Sequence, residues 1–292
     1  LPHFDALRWL EVARSTGATS AMVVPTMLDS IVDVLDGAEA DIPTLKSLSY
    51  GGARMPLPTL EAALRAFPGV DFVNAYGLTE TSSTIALLGP DDHRDALVSD
   101  DPDVRARLGS IGRPVPGIEV TIRDVENFPV ARGEQGELWV RGPQVSGEYM
   151  GAGSSLDDEG WFPTRDLAYQ DADGFLFVVG RNDDTIIRGG ENIAPAEIED
   201  VLVQHPQVRS VAVVGIPDDH WGQAIAATVV PEPGTEPDPQ ELRQFVRERL
   251  RGSRTPDVIV YRAELPSTAT GKILRRNIIS DIIADGAAVD SV

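Results

Sequence analysis

From Phe4 to Thr16 apolar residues return every three or four positions (FDALRWLEVARST), the spacing that collects them on one side of a helix, and Gly17 stops it. The pattern then shortens. TSAMVV (19–24) reads as a strand, and Pro25 opens a second helix that runs through Leu35. TLKSLS (44–49) predicts a strand, PLPTLEAALRAF (56–67) a helix with proline at its start, and VDFVNA (70–75) another strand. Helices placed between short apolar strands imply parallel pairing with right-handed crossovers. In such sheets ligands gather beyond the carboxyl ends of the strands, where two loops are expected, YGGARMP (50–56) and NAYGLTE (74–80).

From about residue 108 the period becomes that of strands broken by Gly and Pro: GSIGRPVPGIEVTIRD, GEQGELWVRG and LAYQDADGFLFVVG, the last with a hairpin at Asp171–Gly174. The charged break GRNDD (180–184) marks a boundary. Beyond it the order is strand, helix (195–204), strand (209–215), strand (224–230), helix (239–250), strand (257–262), helix (273–283). Asp238, Pro239 and Glu241 form a good helix start. The expected fold class is α/β plus α+β. A parallel α/β sheet (1–107) and a small antiparallel barrel or sheet (108–181) make a large domain, and a compact α+β domain covers 182–292.

Composition narrows the functions. The 292 residues are 42% hydrophobic and 24% charged, as in ordinary globular proteins, and no run of 18 apolar residues predicts a membrane span. The start, LPHFDALRWLE, has the form of neither a secretion signal nor an initiating segment with Met. The absence of cysteine removes disulfides, zinc thiolates and cysteine nucleophiles, and fits a reducing cytoplasm. A net charge of −21 argues against nucleic acid or an anionic membrane as partner. An anionic small molecule would need local cations, and Arg181, Arg188, Arg254, Lys272, Arg275 and Arg276 are the candidates.

Several familiar motifs fail on spacing. Around Lys272 the residue five before Gly271 is Pro266 and Ile273 follows the lysine, so the phosphate loop Gly-x-x-x-x-Gly-Lys-Ser/Thr is absent. The four histidines share no ligand spacing. NAYGLTE offers more: Tyr76 an aromatic face for a purine, Gly77 close backbone approach, Thr79 a hydroxyl for phosphate and Glu80 a hard oxygen for Mg²⁺. The competing reading is a polar loop with a core tyrosine and a capping threonine. Asp166 could accept both hydroxyls of a ribose and Arg181 could donate to sugar or phosphate, or each could be a surface ion pair. Gly189-Gly190 reads as a tight turn, and Lys272 taken alone as a solvated cation at a helix start.

Taken in order, YGGARMP, NAYGLTE, GSIGRPVPG, GELWVRG, GWFPTRDL, DGFLFVVGRNDDTIIRGGENIAPAEIE, VVGIPDDHWGQ and LPSTATGKILRR resemble the adenylate-forming superfamily of acyl- and aryl-CoA ligases. The resemblance spans essentially the whole chain. It implies that a carboxylate attacks the α-phosphate of Mg·ATP to give acyl-AMP and pyrophosphate, after which the CoA thiol takes the acyl group and releases AMP. Gly51, Gly52 and Ala53 would then flank adenine with Tyr76 stacked on it. Thr79 would contact the α-phosphate and Glu80 the Mg²⁺, while Asp166 and Arg181 would hold the ribose. Lys272 would bridge the substrate carboxylate and the α-phosphate, Asp183 would be the hinge, and Gly189, Gly190 and Trp221 would line the path of CoA. A fatty or aryl acid is the expected substrate, with Val23–Met27 and Gly77–Leu88 lining part of its pocket, and a homodimer is allowed.

The resemblance also implies an upstream loop for the ATP β- and γ-phosphates. The sequence begins after its place, so the expectation is the C-terminal part of a ligase, inactive in isolation. Two residues depart from the family pattern: Arg165 stands where Gly is usual in Thr-Gly-Asp, and Asp257 where a cation could meet CoA phosphate. The alternatives are an adenylation domain that loads a carrier protein, or a non-catalytic nucleotide- or partner-binding remnant. The GKILRR and GENI runs lie nearer the CoA ligases.

Overall fold

A computed structural model describes residues 4–146, 148–149, 153–268 and 273–285. The chain divides into two compact units, 1–178 and 179–292.

The first unit opens with α1 (Ala6–Thr16), which Asp5 caps by accepting the Arg8 N–H and Gly17 ends in the left-handed region. Then follow β1 (Ser20–Val23), α2 (Pro25–Leu35), β2 (Ser47–Gly51), α3 (Leu57–Ala66) and β3 (Asp71–Leu78). β1, β2 and β3 pair in parallel. Leu48, Tyr50 and Phe72 share a core with Leu10 of α1, Leu28 and Ile31 of α2 and Leu60 of α3, which gathers the apolar stripes of the three helices against these strands.

NAYGLTE does not form the expected loop. β3 continues through Tyr76 to Leu78, a 3₁₀ turn follows at Thr79–Thr81, and β4 (Ser83–Leu88) returns antiparallel. The reason is tertiary: Ile85, Ala86 and Leu88 are buried, so the hairpin has a core of its own to cover. After α4 (Pro90–Val98) and α5 (Pro102–Ala106), β5 (Arg113–Pro114) completes a sheet of order β1-β2-β3-β4-β5.

A second sheet is built from β6 (Glu119–Arg123), β7 (Gly136–Arg141), β10 (Phe162–Gln170) and β11 (Leu176–Arg181), in the order β11-β10-β7-β6. A two-stranded ribbon, β8 (Glu148–Tyr149) and β9 (Gly153–Ser154), lies between β7 and β10 in the chain. At the turn into β11, Asp171 Oδ1 accepts the N–H groups of Asp173 and Phe175. Ile122, Leu138, Val140 and Phe162 of this sheet form one core with Ile85 and Ala86, and Tyr76 packs against it.

The second unit takes in the end of β11 and a 3₁₀ turn, and then forms a hairpin, β12 (Ile186–Arg188) and β13 (Glu191–Ile193), followed by α6 (Pro195–Leu202). β14 (Val208–Asp218) and β15 (Gly222–Pro231) pair antiparallel, and β16 (Val258–Tyr261) joins β15 in parallel. Residues alternate between two cores. Val211, Val213, Ile225 and Ala227 pack with α6 and with α7 (Pro239–Arg247), whereas Ala212, Val214, Ala224 and Ala226 pack with α8 (Arg275–Ala284). Burial on both faces explains the nearly unbroken apolar runs of β14 and β15.

Within the first core the Tyr50 hydroxyl lies 2.8 Å from His93 Nε2, and His93 Nδ1 lies 2.7 Å from the Gly89 carbonyl oxygen. The carbonyl can only accept, so Nδ1 carries the proton and Nε2 accepts from the tyrosine. Burial pushes the His93 pKa below 6.5, against smaller upward pulls from the Gly89 bond and the Asp92 charge. The unfolded chain therefore takes up a proton more readily than the folded one. Stability that depends on the neutral ring is complete above about pH 6.5 and declines as the pH falls from there toward the depressed folded value. Urea midpoints measured between about pH 7.5 and 5.5 should fall more steeply for the native chain than for His93→Gln.

Candidate active site

The carboxyl ends of β1, β2 and β3 lie side by side, because Val23 pairs with Tyr50 and Gly51 with Ala75. Gly51-Gly52-Ala53 and Tyr76-Gly77 are thereby neighbours, and Val24, just beyond β1, is close to Gly52. A Cβ on Gly51 would meet the Ala75 carbonyl oxygen at 2.4 Å, and one on Gly77 the Ser83 carbonyl oxygen at 1.7 Å. The space that Gly77 leaves is therefore taken by the returning β4 rather than by an acyl group.

Tyr76 reaches across to the second sheet. Its hydroxyl donates to Asp166 Oδ2, joining residues 90 positions apart. Asp166 is 5% exposed, which overturns the surface-ion-pair reading for it. The local cause is an irregularity in the β10–β7 pairing between Pro163 and Leu167, where Arg165 adopts φ 62°. Thr164 donates to the Leu138 carbonyl and accepts the Asp166 N–H, and Glu137 accepts the Arg165 N–H. The irregularity leaves Arg165 exposed and turns Asp166 inward. A left-handed residue without glycine is strained, so the family's usual glycine suits this backbone better than the arginine present. With side-chain contacts removed in both variants, Arg165→Gly should be more stable than Arg165→Ala by about 1 kcal/mol in urea denaturation.

Thr79 is exposed and Glu80 half-buried on the 3₁₀ turn at the tip of the β3–β4 hairpin. Among the described residues no three His, Cys, Asp or Glu side chains gather as a metal cage. A lone carboxylate such as Glu80 suits Mg²⁺ held mostly by substrate phosphates and water, so the donor set fits that ion.

Arg181 closes β11 and Asp183 sits exposed in the 3₁₀ turn Asn182–Asp184, both in the second unit. The Gly189-Gly190 turn has φ 56° and 84°, which two-residue hairpin loops of this kind require. Gly189 donates its N–H to the Trp221 carbonyl at 2.8 Å, and a Cβ there would come within 2.9 Å of the half-exposed indole. Asp257 is structural: it accepts from Arg188 at 2.6 Å and from the Ile225 N–H at 2.8 Å.

Lys272 lies outside the described residues. Among the described residues on either side, Ser267 bridges to Ile273 and the Leu274 N–H donates to the Pro266 carbonyl at 2.8 Å. Immediately beyond, Arg275 contacts Glu199 of α6 at 2.7 and 3.1 Å, the Val213 carbonyl at 2.6 Å and Asp184 at 3.4 Å. Burial alone would lower the Arg275 pKa, but the charge and hydrogen bonds of Glu199, with Asp184, hold it above its ordinary value. Sequence reasoning named Arg275 only as one of several cations and missed the buried Thr81. The second hydroxyl of TETSS was its one visible signal.

The chain thus has an α/β sheet whose strand ends meet an antiparallel sheet through Tyr76 and Asp166, and a separate α+β unit. The family model "AMP-binding enzyme" matches residues 1–150 and "AMP-binding enzyme C-terminal domain" residues 197–272. The chain belongs to the AMP-binding enzyme family. Its relatives include a medium/long-chain-fatty-acid–CoA ligase of Mycobacterium tuberculosis, 35% identical over 93% of this chain and 48% of the relative. A feruloyl-CoA synthase of Amycolatopsis sp is 37% identical over 93% and 53%. A fatty acid–[acyl-carrier-protein] ligase of Streptomyces coeruleorubidus is 34% identical over 97% and 54%. Among solved structures, the amide bond synthetase McbA of Marinactinospora thermotolerans superposes with a TM-score of 0.84 and 32% identity, over 97% of this chain and 56% of that one. The O-succinylbenzoate CoA synthetase of Bacillus subtilis, solved with ATP and magnesium ion, gives 0.77 and 32%, over 95% and 55%. The chain thus spans about half the length of the curated relatives it matches. Among the described residues no helix is long and apolar enough to cross a membrane.

Proposed function

We propose that this chain forms the nucleotide-handling part and the mobile C-terminal domain of an ATP-dependent acid–CoA ligase, with residues 1–181 and 182–292 as the two parts and Asp183 the hinge between them. The observation that carries the reading is the Tyr76–Asp166 hydrogen bond beside the Gly51–Ala53 strand end. It fixes an aromatic ring from its phenolic end and holds a buried carboxylate within one ring's length of it. Such a pair suits a nucleoside, with the ring face on the base and the carboxylate on ribose hydroxyls, to which Arg181 adds a donor.

Thr79 then contacts the α-phosphate, and Glu80 would hold Mg²⁺, whose charge would offset that of the phosphates. The substrate carboxylate attacks the α-phosphorus and pyrophosphate leaves, giving acyl-AMP. Two anions must meet in line, and Lys272 in a water-poor site offsets their repulsion. Rotation about Asp183 withdraws Lys272 and brings up the Gly189-Gly190 turn and Trp221, beside which the CoA thiol attacks the acyl carbon and AMP leaves. ATP and CoA as substrates carry a cytoplasmic location with them. A fatty or aryl acid fits the largely apolar Val23–Met27 segment beside the Gly51–Ala53 strand end.

The test is pyrophosphate release with a panel of carboxylic acids, using a protein that joins this chain to the upstream portion its relatives possess. Acyl-AMP should form, and its acyl group should pass to CoA. Transfer to a phosphopantetheinylated carrier protein instead would establish the second reading, which the carrier-protein ligase among the relatives favours. Absence of acyl-AMP with every acid would overturn both. Lys272→Ala should lower acyl-AMP formation by roughly 100-fold or more while sparing thioester formation from supplied acyl-adenylate. The 292 residues alone should release no pyrophosphate.

A further inference from the structure

The turn that carries Thr79 and Glu80 is held from outside itself. Ser82 and Ser83 both adopt positive φ, 51° and 92°, two consecutive strained residues without a glycine between them. Thr81 is fully buried and ties the turn internally: its hydroxyl accepts the Leu78 N–H at 2.9 Å and lies 3.0 and 2.9 Å from the carbonyl oxygens of Leu78 and Ser83. That internal tie leaves the carbonyls of Glu80, Thr81 and Thr84 to be satisfied elsewhere.

The segment just past β7 supplies the donors. The Gln144 side-chain amide donates to the Thr81 carbonyl at 3.1 Å and to the Thr84 carbonyl at 2.8 Å, which uses both of its hydrogens. The Ser146 N–H donates to the Glu80 carbonyl at 2.9 Å. Three hydrogen bonds from two residues therefore grip carbonyls of the turn and of the first residues of β4, across 60 or more positions of sequence. β3 and β4 already have their own ladder and core, so the hairpin does not need this grip to exist. What the grip adds is a single conformation for a turn that local backbone preferences would relax.

We propose that Gln144 is a positioning residue for Thr79 and Glu80, holding the strained turn in the one arrangement that aims both side chains at the nucleotide phosphates and Mg²⁺. This rests on the adenylation reading for its consequence, though not for its geometry. The Gln144 amide donates to main-chain carbonyls and not to Thr79 or Glu80 side chains, so it acts through the backbone that carries them.

The experiment has two readouts. In the 292-residue chain, hydrogen–deuterium exchange compares the native protein with Gln144→Met, which keeps the length but donates nothing, and with Gln144→Glu, which puts a second acceptor against the carbonyls. Amides of Thr79–Thr84 should exchange roughly ten-fold faster in Gln144→Met and faster still in Gln144→Glu, with the helices unchanged. Unchanged exchange at the turn overturns the proposal. In the protein extended upstream, Gln144→Met should raise the Mg²⁺ concentration that half-saturates acyl-AMP formation by about five-fold and lower its rate, with thioester formation from supplied acyl-adenylate within about two-fold of native. Equal losses in both half-reactions, or an unchanged Mg²⁺ requirement, would make Gln144 a plain structural residue and overturn the assignment. If the native extended protein forms no acyl-AMP, the adenylation reading fails, and the exchange measurement still decides whether the clamp holds the turn.

Discussion

The hydrogen bond between Tyr76 and Asp166 joins the end of a parallel α/β sheet to an antiparallel sheet that follows it in sequence. A phenol facing a buried carboxylate is a contact with a strong sign: each group would be costly in that position without the other. Much of the first unit is arranged around this constraint. β3 extends past the point where a loop was expected, so that Tyr76 points from a ladder instead of a mobile connection. β10 loses its regular pairing at Thr164–Asp166 so that the carboxylate faces inward, and Arg165 adopts a left-handed backbone to allow it.

Polar pairs recur wherever an element bearing candidate chemistry meets the scaffold. Tyr50, one residue before Gly51-Gly52, is anchored by a neutral, buried His93. Arg275, three residues after Lys272, is anchored by Glu199 and Asp184, tying the start of α8 to α6 and to the 3₁₀ turn that holds Asp183. Gln144 and Ser146 do the same for the turn of Thr79 and Glu80. Hydrogen bonds are directional, so such anchors limit orientation in a way that apolar packing does not. In a chain of net charge −21 the Arg275 anchor also sets an arginine against two specific carboxylates.

The order of strands and helices through β3 and from α6 onward, the hairpin at Asp171–Gly174, the Gly189-Gly190 turn and the family resemblance were legible in the sequence, whereas β4, α4 and α5 were not. Each legible feature depends on a periodicity, a cap or a glycine that acts within a few residues. Asp238, for example, caps α7 by accepting the Gln240 N–H, as its place before Pro239 implies. The tertiary structure alone decided that NAYGLTE is a strand and a turn, that Asp166 is buried, that Asp257 braces Arg188, and that Gln144 grips the Thr79–Thr84 turn. Those partners stand some 60 to 90 positions apart, and a contact at such separation leaves no repeating mark along the chain. Local sequence determines which elements form and how they end. The shape of a site comes from which of those elements the cores bring together.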